Sequence, residues 1–487
     1  MIDAGRDPAR IAASARCRDG ARTGPDDLRR WWADALQRTR MTVERVPLAR
    51  LDRWRLDPDA GTLAHADGGF FRVVGLEVDR PDGPVPRWGQ PIIEQPEVGI
   101  LGLLVREFDG VLHCLVQAKA EPGNRGGAQV APTVQATRSN YTRVHRGGPV
   151  RYLELFQDAR RRALVDVRQS EHGAWFYRKR NRNMVVETTD AVDPAPGFCW
   201  LTLGQLHRLL ARDDLVNMDL RSVLACLPFA APGAGPEAGA AATSRGSGFR
   251  DALARSCDAR APARHTEDEI LHWITEIRTR TELRTRRVPL GELRDWRTDG
   301  TAITHRDGRY FDIGGVSVVA SGREVRRWSQ PLLRPRSGGV AAFVVTSFEG
   351  VLHVLVRAQV EPGLVDVAEL APTVRCAPAD LAHLPASARP PFVDDVLGAG
   401  PERIRYAAVQ SEDGGRLDHA RARHLIVDAD PRVRYDGRPD FRWMTLAQLA
   451  SLLRHSHYVC MQARSLVACL LSLAADPSPA RPEGRPR

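Results

Sequence analysis

Lysine is almost missing from this chain. Of its 70 basic residues only Lys119 and Lys179 are lysines. Arginine therefore serves wherever charge alone is needed, and lysine is left where a compact or deprotonatable ammonium matters. Long apolar runs are missing too. Even the stretch from Gly99 to Val105 is stopped by Arg106, well short of the roughly 18 residues a membrane-spanning helix needs. The opening MIDAGRDPARIAASARCRDGARTGPDD has no apolar core of the kind a secretory signal requires, so a cytoplasmic location is expected. The cysteines (Cys17, Cys114, Cys199, Cys226, Cys257, Cys376, Cys460 and Cys469) form no CxxC pair and no Cys/His cluster at zinc spacing, which excludes a zinc module and a disulfide scaffold. There is no GxGxxG opening a helix after a strand, no GxxxxGK followed by Ser or Thr, no HExxH and no GxSxG. Dinucleotide, P-loop, zinc-protease and serine-esterase chemistry thus lose their usual signatures. The net charge of +10 is dispersed among 60 acidic residues with no aromatic-basic surface motif, so nucleic acid is not an expected partner.

What the chain does contain is a copy of itself. The stretch from Gln90 to Tyr141 returns from Gln330 to Leu381 at a constant offset of 240 residues. Phe108-Asp109-Gly110-Val111-Leu112-His113 matches Phe348-Glu349-Gly350-Val351-Leu352-His353, Glu121-Pro122-Gly123 matches Glu361-Pro362-Gly363, and Ala131-Pro132-Thr133-Val134 matches Ala371-Pro372-Thr373-Val374. One folding unit has been used twice. The expected organisation is a disordered start over residues 1–25, a first repeat over 26–228, a flexible Ala/Gly/Pro/Ser linker over 229–263, a second repeat over 264–475 and a disordered tail over 476–487.

Within each repeat the pattern is α+β, mixed strands with flanking helices. Two β-rich runs, residues 100–107 and 111–120, meet at Asp109-Gly110, a dipeptide suited to a tight hairpin with positive φ. Alternation along the second run puts Leu112, Cys114, Val116 and Ala118 on one face and His113, Leu115, Gln117, Lys119 and Glu121 on the other, which turns polar towards its end. Each repeat closes with two helices, the first opened by a capping box, Thr202 with Gln205 and Thr445 with Gln448. The polar end of the hairpin and the loop behind it supply the candidate functional residues: Lys119, Glu121, Asn124, Thr133, Gln135, Arg138, Asn140, Tyr141 and Arg143, joined by the run from Arg178 through Arg180 to Asn183. The copies differ there. Lys119 aligns with Gln359, Lys179 with Ala420, Asn181 with Ala422 and Tyr141 with Leu381, so the first repeat is the richer in groups that transfer protons.

Four long motifs of the first repeat, QPEVGILGLLVREFDGVLHCLVQAKAEPGN, APTVQATRSNYTRVH, QSEHGAWFYRKRNRNMVVE and FCWLTLGQLHRLLARDDLVNMDLRSVLACLP, with LAPTVRC and HSHYVCMQARSLVACL in the second, resemble the NDP-hexose 2,3-dehydratases of deoxysugar biosynthesis over residues 26–475. The resemblance implies duplicated Nudix-like domains, a homodimer, no cofactor, and a dTDP-linked 4-keto-6-deoxy-hexose as substrate. A Nudix hydrolase carries a magnesium-binding REUxEExGU helix, whereas Glu121-Pro122-Gly123-Asn124 is followed here by Arg-Gly-Gly-Ala-Gln, so metal-assisted pyrophosphate cleavage lacks its ligands and no metal is expected. The implied reaction removes the C3 proton, acidified by the C4 ketone, and expels the C2 hydroxyl to give a 3,4-diketo-2,6-dideoxy sugar without net redox change. On this reading Glu121 and Tyr141 transfer protons, Lys119 stabilises the enolate oxygen, and Arg138, Arg143 or Arg180 holds the diphosphate. Trp88, Gln90, Asn124, Thr133, Gln135, Asn140 and Asn183 complete the expected binding site, Trp88 as a stacking surface for thymine. The unstable diketone implies a 3-ketoreductase downstream. A Nudix-like nucleotide-sugar hydrolase and a non-catalytic nucleotide-sugar-binding protein are the competing readings.

Overall fold

The computed structural model describes residues 6–57, 61–141, 148–158, 160–229, 248–321, 323 and 325–475, the side chains of residues 6, 140 and 141 excepted. The two repeats follow one plan, and each forms the body of two sheets. In the first repeat an antiparallel meander runs through Trp54–Leu56, Leu63–His65, Arg72–Asp79 and Arg87–Glu94. Behind it, a seven-stranded mixed sheet is ordered Arg162–Ser170, Arg180–Glu187, Gly99–Phe108, Val111–Ala120 and Phe198–Thr202, with short strands Ala128–Ala131 and Val134–Ala136 added to its middle. Arg180–Glu187 lies parallel to Gly99–Phe108, which makes the sheet mixed. The expected hairpin forms: Asp109 and Gly110 have φ of 48° and 76°, and Glu349 and Gly350 have 50° and 75°, the double left-handed pair of a tight two-residue turn. Both capping boxes form as well, with Gln205 N donating to Thr202 Oγ1 at 3.1 Å and Gln448 N to Thr445 Oγ1 at 3.3 Å.

The repeats are not separate beads. Strand Met41–Val46, from the first repeat's sequence, pairs with Phe311–Ala320 in the second, and Arg284–Val288, from the second, pairs with Arg72–Asp79 in the first. The exchange is reciprocal down to its contacts. A Cβ on Gly75 would sit 2.7 Å from Val288 O, and one on Gly315 would sit 2.7 Å from Val46 O, so glycine is required where each visiting strand crosses. Between the repeats lie helices Met218–Ala225 and Met461–Ala475. Their buried arginines reach across: Arg464 donates to Ser170 O at 2.6 Å and Ser222 Oγ at 2.8 Å, while Arg221 donates to Ser411 O and Ser465 Oγ. One continuous apolar core, from Leu103 and Val116 to Phe343 and Val356, joins both halves.

Two stretches expected to lack structure contain helices. Arg6–Arg16 buries Ile11, Ala12 and Ala15, and Ser14 Oγ accepts from Leu203 N at 3.0 Å. Phe249–Ser256, inside the expected linker, buries Leu253, and Ser256 Oγ accepts from Leu446 N at 2.8 Å. These are equivalent helices, one opening each repeat. Their apolar faces are mostly alanine interleaved with arginine, a composition that reads as disorder until the partner surface is known. The helix that follows runs Pro25–Arg38 with Gly24 at its N-cap. Among the described residues no helix is long and apolar enough to cross a membrane.

Candidate active site

A cavity of about 410 Å³ opens between the two repeats, walled on one side by Lys119, Glu121, Gln135, Asn181 and Asp219 and on the other by Arg323, Trp328, Gln330 and Arg416. Its floor is the polar end of the hairpin. Lys119 and Glu121 project from one strand face, as alternation requires, and Gln135 ties them together. Lys119 Nζ donates to Gln135 O at 3.0 Å, and Gln135 Nε2 donates to Glu121 Oε1 at 3.1 Å. Asn217 Nδ2 donates to Gln135 Oε1 at 3.1 Å, while its own Oδ1 caps the helix Met218–Ala225 by accepting from Leu220 N at 2.9 Å. This side-chain chain locks the helix start to the sheet and brings Asp219, one residue into the helix, to the cavity wall.

The electrostatics are dominated by carboxylates. Burial, then Glu171, Asp413 and Glu121, hold Asp219 well above the usual carboxylate range, with Arg416 opposing. Glu171 is raised by burial and by Asp413, while His172 and Arg416 pull the other way. Its Oε1 accepts from Asn181 Nδ2 at 2.6 Å, and Asn181 Oδ1 accepts from Gly99 N at 3.1 Å. Arg416 is fixed by Asp413, whose Oδ2 accepts from Nε at 2.7 Å, and by Gln95. Lys179, buried behind this wall, donates to Glu97 O and is brought down to about 7, first by burial and then by Arg416. The Glu97 carboxylate in turn accepts from Ser139 N at 3.3 Å and Ser139 Oγ at 3.0 Å, bracing the short helix Arg138–Tyr141 against the cavity rim.

Of the residues expected from sequence, Lys119, Glu121 and Gln135 meet here. Several others do not. Thr133 is a strut inside the sheet, accepting from Leu104 N at 2.8 Å and donating to Leu115 O, and Thr373 repeats the arrangement in the second copy. Asn183 is buried and accepts from Ser222 Oγ at 2.9 Å. Arg180 alternates to the opposite strand face from Asn181, near His457 of the second repeat. Asn124 is packed against Gly414. Arg138 is exposed and outside the lining. Trp88 and Gln90 bond to each other at 2.9 Å on the meander, away from the cavity. Their equivalents Trp328 and Gln330 are the pair that lines it, because the strand exchange presents the second repeat's meander to the first repeat's hairpin. The side chains of Asn140 and Tyr141, and all of Arg143, lie outside the described residues.

Sequence reasoning missed Asp219, Arg416 and Trp328. The repeat alignment carried a signal for the first, since Asp219 and Asn217 fall opposite Gln462 and Cys460. In the second repeat the equivalent space is filled: Arg375, in the place of Gln135, ion-pairs with Glu361 and donates to Gln462 Oε1 at 3.2 Å. Among the described residues no group of three or more His, Cys, Asp or Glu side chains is arranged to hold a metal ion.

Comparison with known proteins agrees with this duplicated arrangement. The family model described as NDP-hexose 2,3-dehydratase matches twice, over residues 25–227 and 267–470. The chain is 46% identical over 474 residues to a dTDP-4-dehydro-6-deoxy-alpha-D-glucopyranose 2,3-dehydratase of Amycolatopsis orientalis, covering 96% of this chain and 94% of the relative. It is 49% identical to a protein of the same description from Saccharopolyspora spinosa, covering 91% of each, and 44% identical to one from Streptomyces violaceoruber, covering 91% of this chain and 96% of the relative. Two tandem matches and identities of this size over nearly the whole length place the chain in the NDP-hexose 2,3-dehydratase family.

Proposed function

We propose that the chain removes water from dTDP-4-keto-6-deoxy-D-glucose across C2 and C3, giving a dTDP-3,4-diketo-2,6-dideoxy sugar. The observation that carries this reading is the Lys119, Gln135, Glu121 array on the wall of a cavity built by both repeats, in a chain whose relatives are described as 2,3-dehydratases. The C4 ketone acidifies the C3 hydrogen. Glu121 removes it, and Lys119 Nζ faces the C4 oxygen where enolate charge develops, a role in which one donor contributes roughly 10²- to 10³-fold. Collapse of the enolate expels the C2 hydroxyl, and the resulting C3 enol tautomerises to the ketone. Tyr141, whose backbone closes the short helix Arg138–Tyr141, is read as a second proton-transfer group. Arg323 and Arg327 of the second repeat, together with Arg53, replace Arg138 and Arg180 as the cations for the diphosphate, because they line the cavity and the latter pair does not. Trp328, oriented by its 2.8 Å bond to Gln330 Oε1, takes the stacking role first given to Trp88.

Each repeat is read as a Nudix-like unit that has lost its carboxylate array, and the working form as a cytoplasmic homodimer. The diketone product is reactive, so a 3-ketoreductase is its expected consumer in deoxysugar and antibiotic biosynthesis. Incubation with dTDP-4-keto-6-deoxy-glucose plus such a reductase, followed by mass spectrometry, tests the reading: loss of one water supports it. Magnesium-dependent phosphate release would indicate the hydrolase instead, and binding with unchanged sugar the non-catalytic alternative.

A further inference from the structure

Expulsion of hydroxide from C2 is slow unless an acid protonates it, and the Lys119, Gln135, Glu121 array contains no neutral acid to do so. The same wall holds one. Asp219 stands at the cavity, 7% exposed, on a helix whose start is tied to Gln135 through Asn217. Its electrostatic neighbours are the carboxylates of Glu171, Asp413 and Glu121, opposed by the guanidinium of Arg416. Lys119 lines the same space. Burial and the neighbouring carboxylates outweigh Arg416 and the amides of the first helical turn, so the carboxyl holds its proton more tightly than an exposed aspartic acid does. No described residue hydrogen-bonds to the Asp219 carboxyl, which leaves it directed at the cavity. In the second repeat the same position is Gln462, an amide fully engaged between Arg375 and His172.

We propose that Asp219 is a further catalytic residue, the acid that gives its proton to the hydroxyl leaving C2. The inference rests on the dehydration reading above. The electron pair of the C3–H bond becomes the C2–C3 double bond as the C2–O bond breaks. The C3 proton goes to Glu121, the Asp219 proton goes to the departing oxygen, and water leaves. Tautomerisation resets the pair: Glu121 returns a proton to C2, and the Asp219 carboxylate takes the one on the C3 enol oxygen.

A substrate whose leaving group needs no proton separates this role from a structural one. The test is Asp219→Asn assayed with dTDP-4-keto-6-deoxy-glucose and with its 2-deoxy-2-fluoro analogue, which loses fluoride. Turnover of the hydroxyl substrate should fall about 10²- to 10⁴-fold, and turnover of the fluoro analogue less than about 5-fold. Equal losses on both substrates would overturn the proposal, as would an Asp219→Asn variant within about 3-fold of wild type on the hydroxyl substrate. If the variant does not fold, the wild-type pH profile decides. An alkaline fall in kcat for the hydroxyl substrate that is missing with the fluoro analogue supports the acid, and identical profiles refute it. A wild-type enzyme inert to both substrates would refute the dehydration reading itself.

Discussion

Replacing Arg416 with methionine probes the joint between the repeats. The guanidinium pairs with Asp413 of its own repeat and faces Glu171 and Asp219 of the first, its side chain only 15% exposed and that of Asp413 2%. It also sits over the Phe176 ring, 5.3 Å from the centroid. Methionine keeps the apolar contact and removes the charge, leaving Asp413, Glu171 and Asp219 without their shared cation. Breaking such a buried pair costs about 3 kcal/mol or more. With an unfolding entropy near 2.1 cal/mol/K per residue, a cooperative chain of 487 residues loses roughly 1 °C per kcal/mol. The expected drop in Tm at pH 8 is therefore about 3 °C. Its pH dependence is the sharper signature. Glu171 and Asp219 hold their protons more tightly folded than unfolded, so they withdraw stability as pH rises from the ordinary carboxylate range towards their folded values. Arg416 limits that withdrawal only where they ionise. Melting curves by circular dichroism should show the gap between wild type and Arg416→Met narrowing from pH 8 to pH 5.5, with Arg416→Lys recovering part of it because a single ammonium cannot bridge Asp413 and Gln95. A gap below about 1 °C, or one that is constant or wider at acid pH, would refute this account of the joint.

Other perturbations address the site and its scaffold. Lys119→Met should lower kcat about 10²- to 10³-fold and Glu121→Gln about 10²- to 10⁴-fold in the trapped-product assay, and near-normal turnover in both would remove this cavity as the chemical site. Thr133→Val strands Leu104 N–H and the Leu115 carbonyl in the core. It should destabilise by about 2–4 kcal/mol in denaturant titrations while leaving kcat per folded molecule unchanged. Ile11→Ala should cost about 2–4 kcal/mol by the same titration, since Ile11 is 1% exposed against the core; a disordered start would predict no change.

The hairpin, the capping boxes and the duplication were legible because each is written in local chemistry: a turn dipeptide, a Thr with Gln three residues on, a repeated string. Lys119, Glu121 and Gln135 followed from strand alternation and the short return of the chain. What escaped was set by how the halves meet. Nothing near Met41 or Arg284 signals that these strands cross over to the other repeat. Without that exchange Trp88 and Trp328 are equivalent tryptophans, and nothing local signals that Trp328 is the one lining the cavity. Arg416 is likewise a loop arginine among many until the second repeat is laid against the first. Asp219 was hidden in a helix that reads as core. The opening helices escaped because alanine faces carry little hydrophobic signal, and they become apolar surfaces only against Leu203 and Leu446.

The most direct test of the central claim follows the C3 hydrogen. The substrate carrying deuterium at C3 is turned over in ordinary water with a 3-ketoreductase present, and the product is read by mass spectrometry and proton NMR. Proton abstraction at the first-repeat cavity predicts loss of one water and loss of the deuterium from C3, which Glu121 passes to C2 or exchanges for a solvent protium first, all suppressed together in Glu121→Gln. Retention of the C3 deuterium in a dehydrated product, or undiminished turnover in Glu121→Gln, would contradict it.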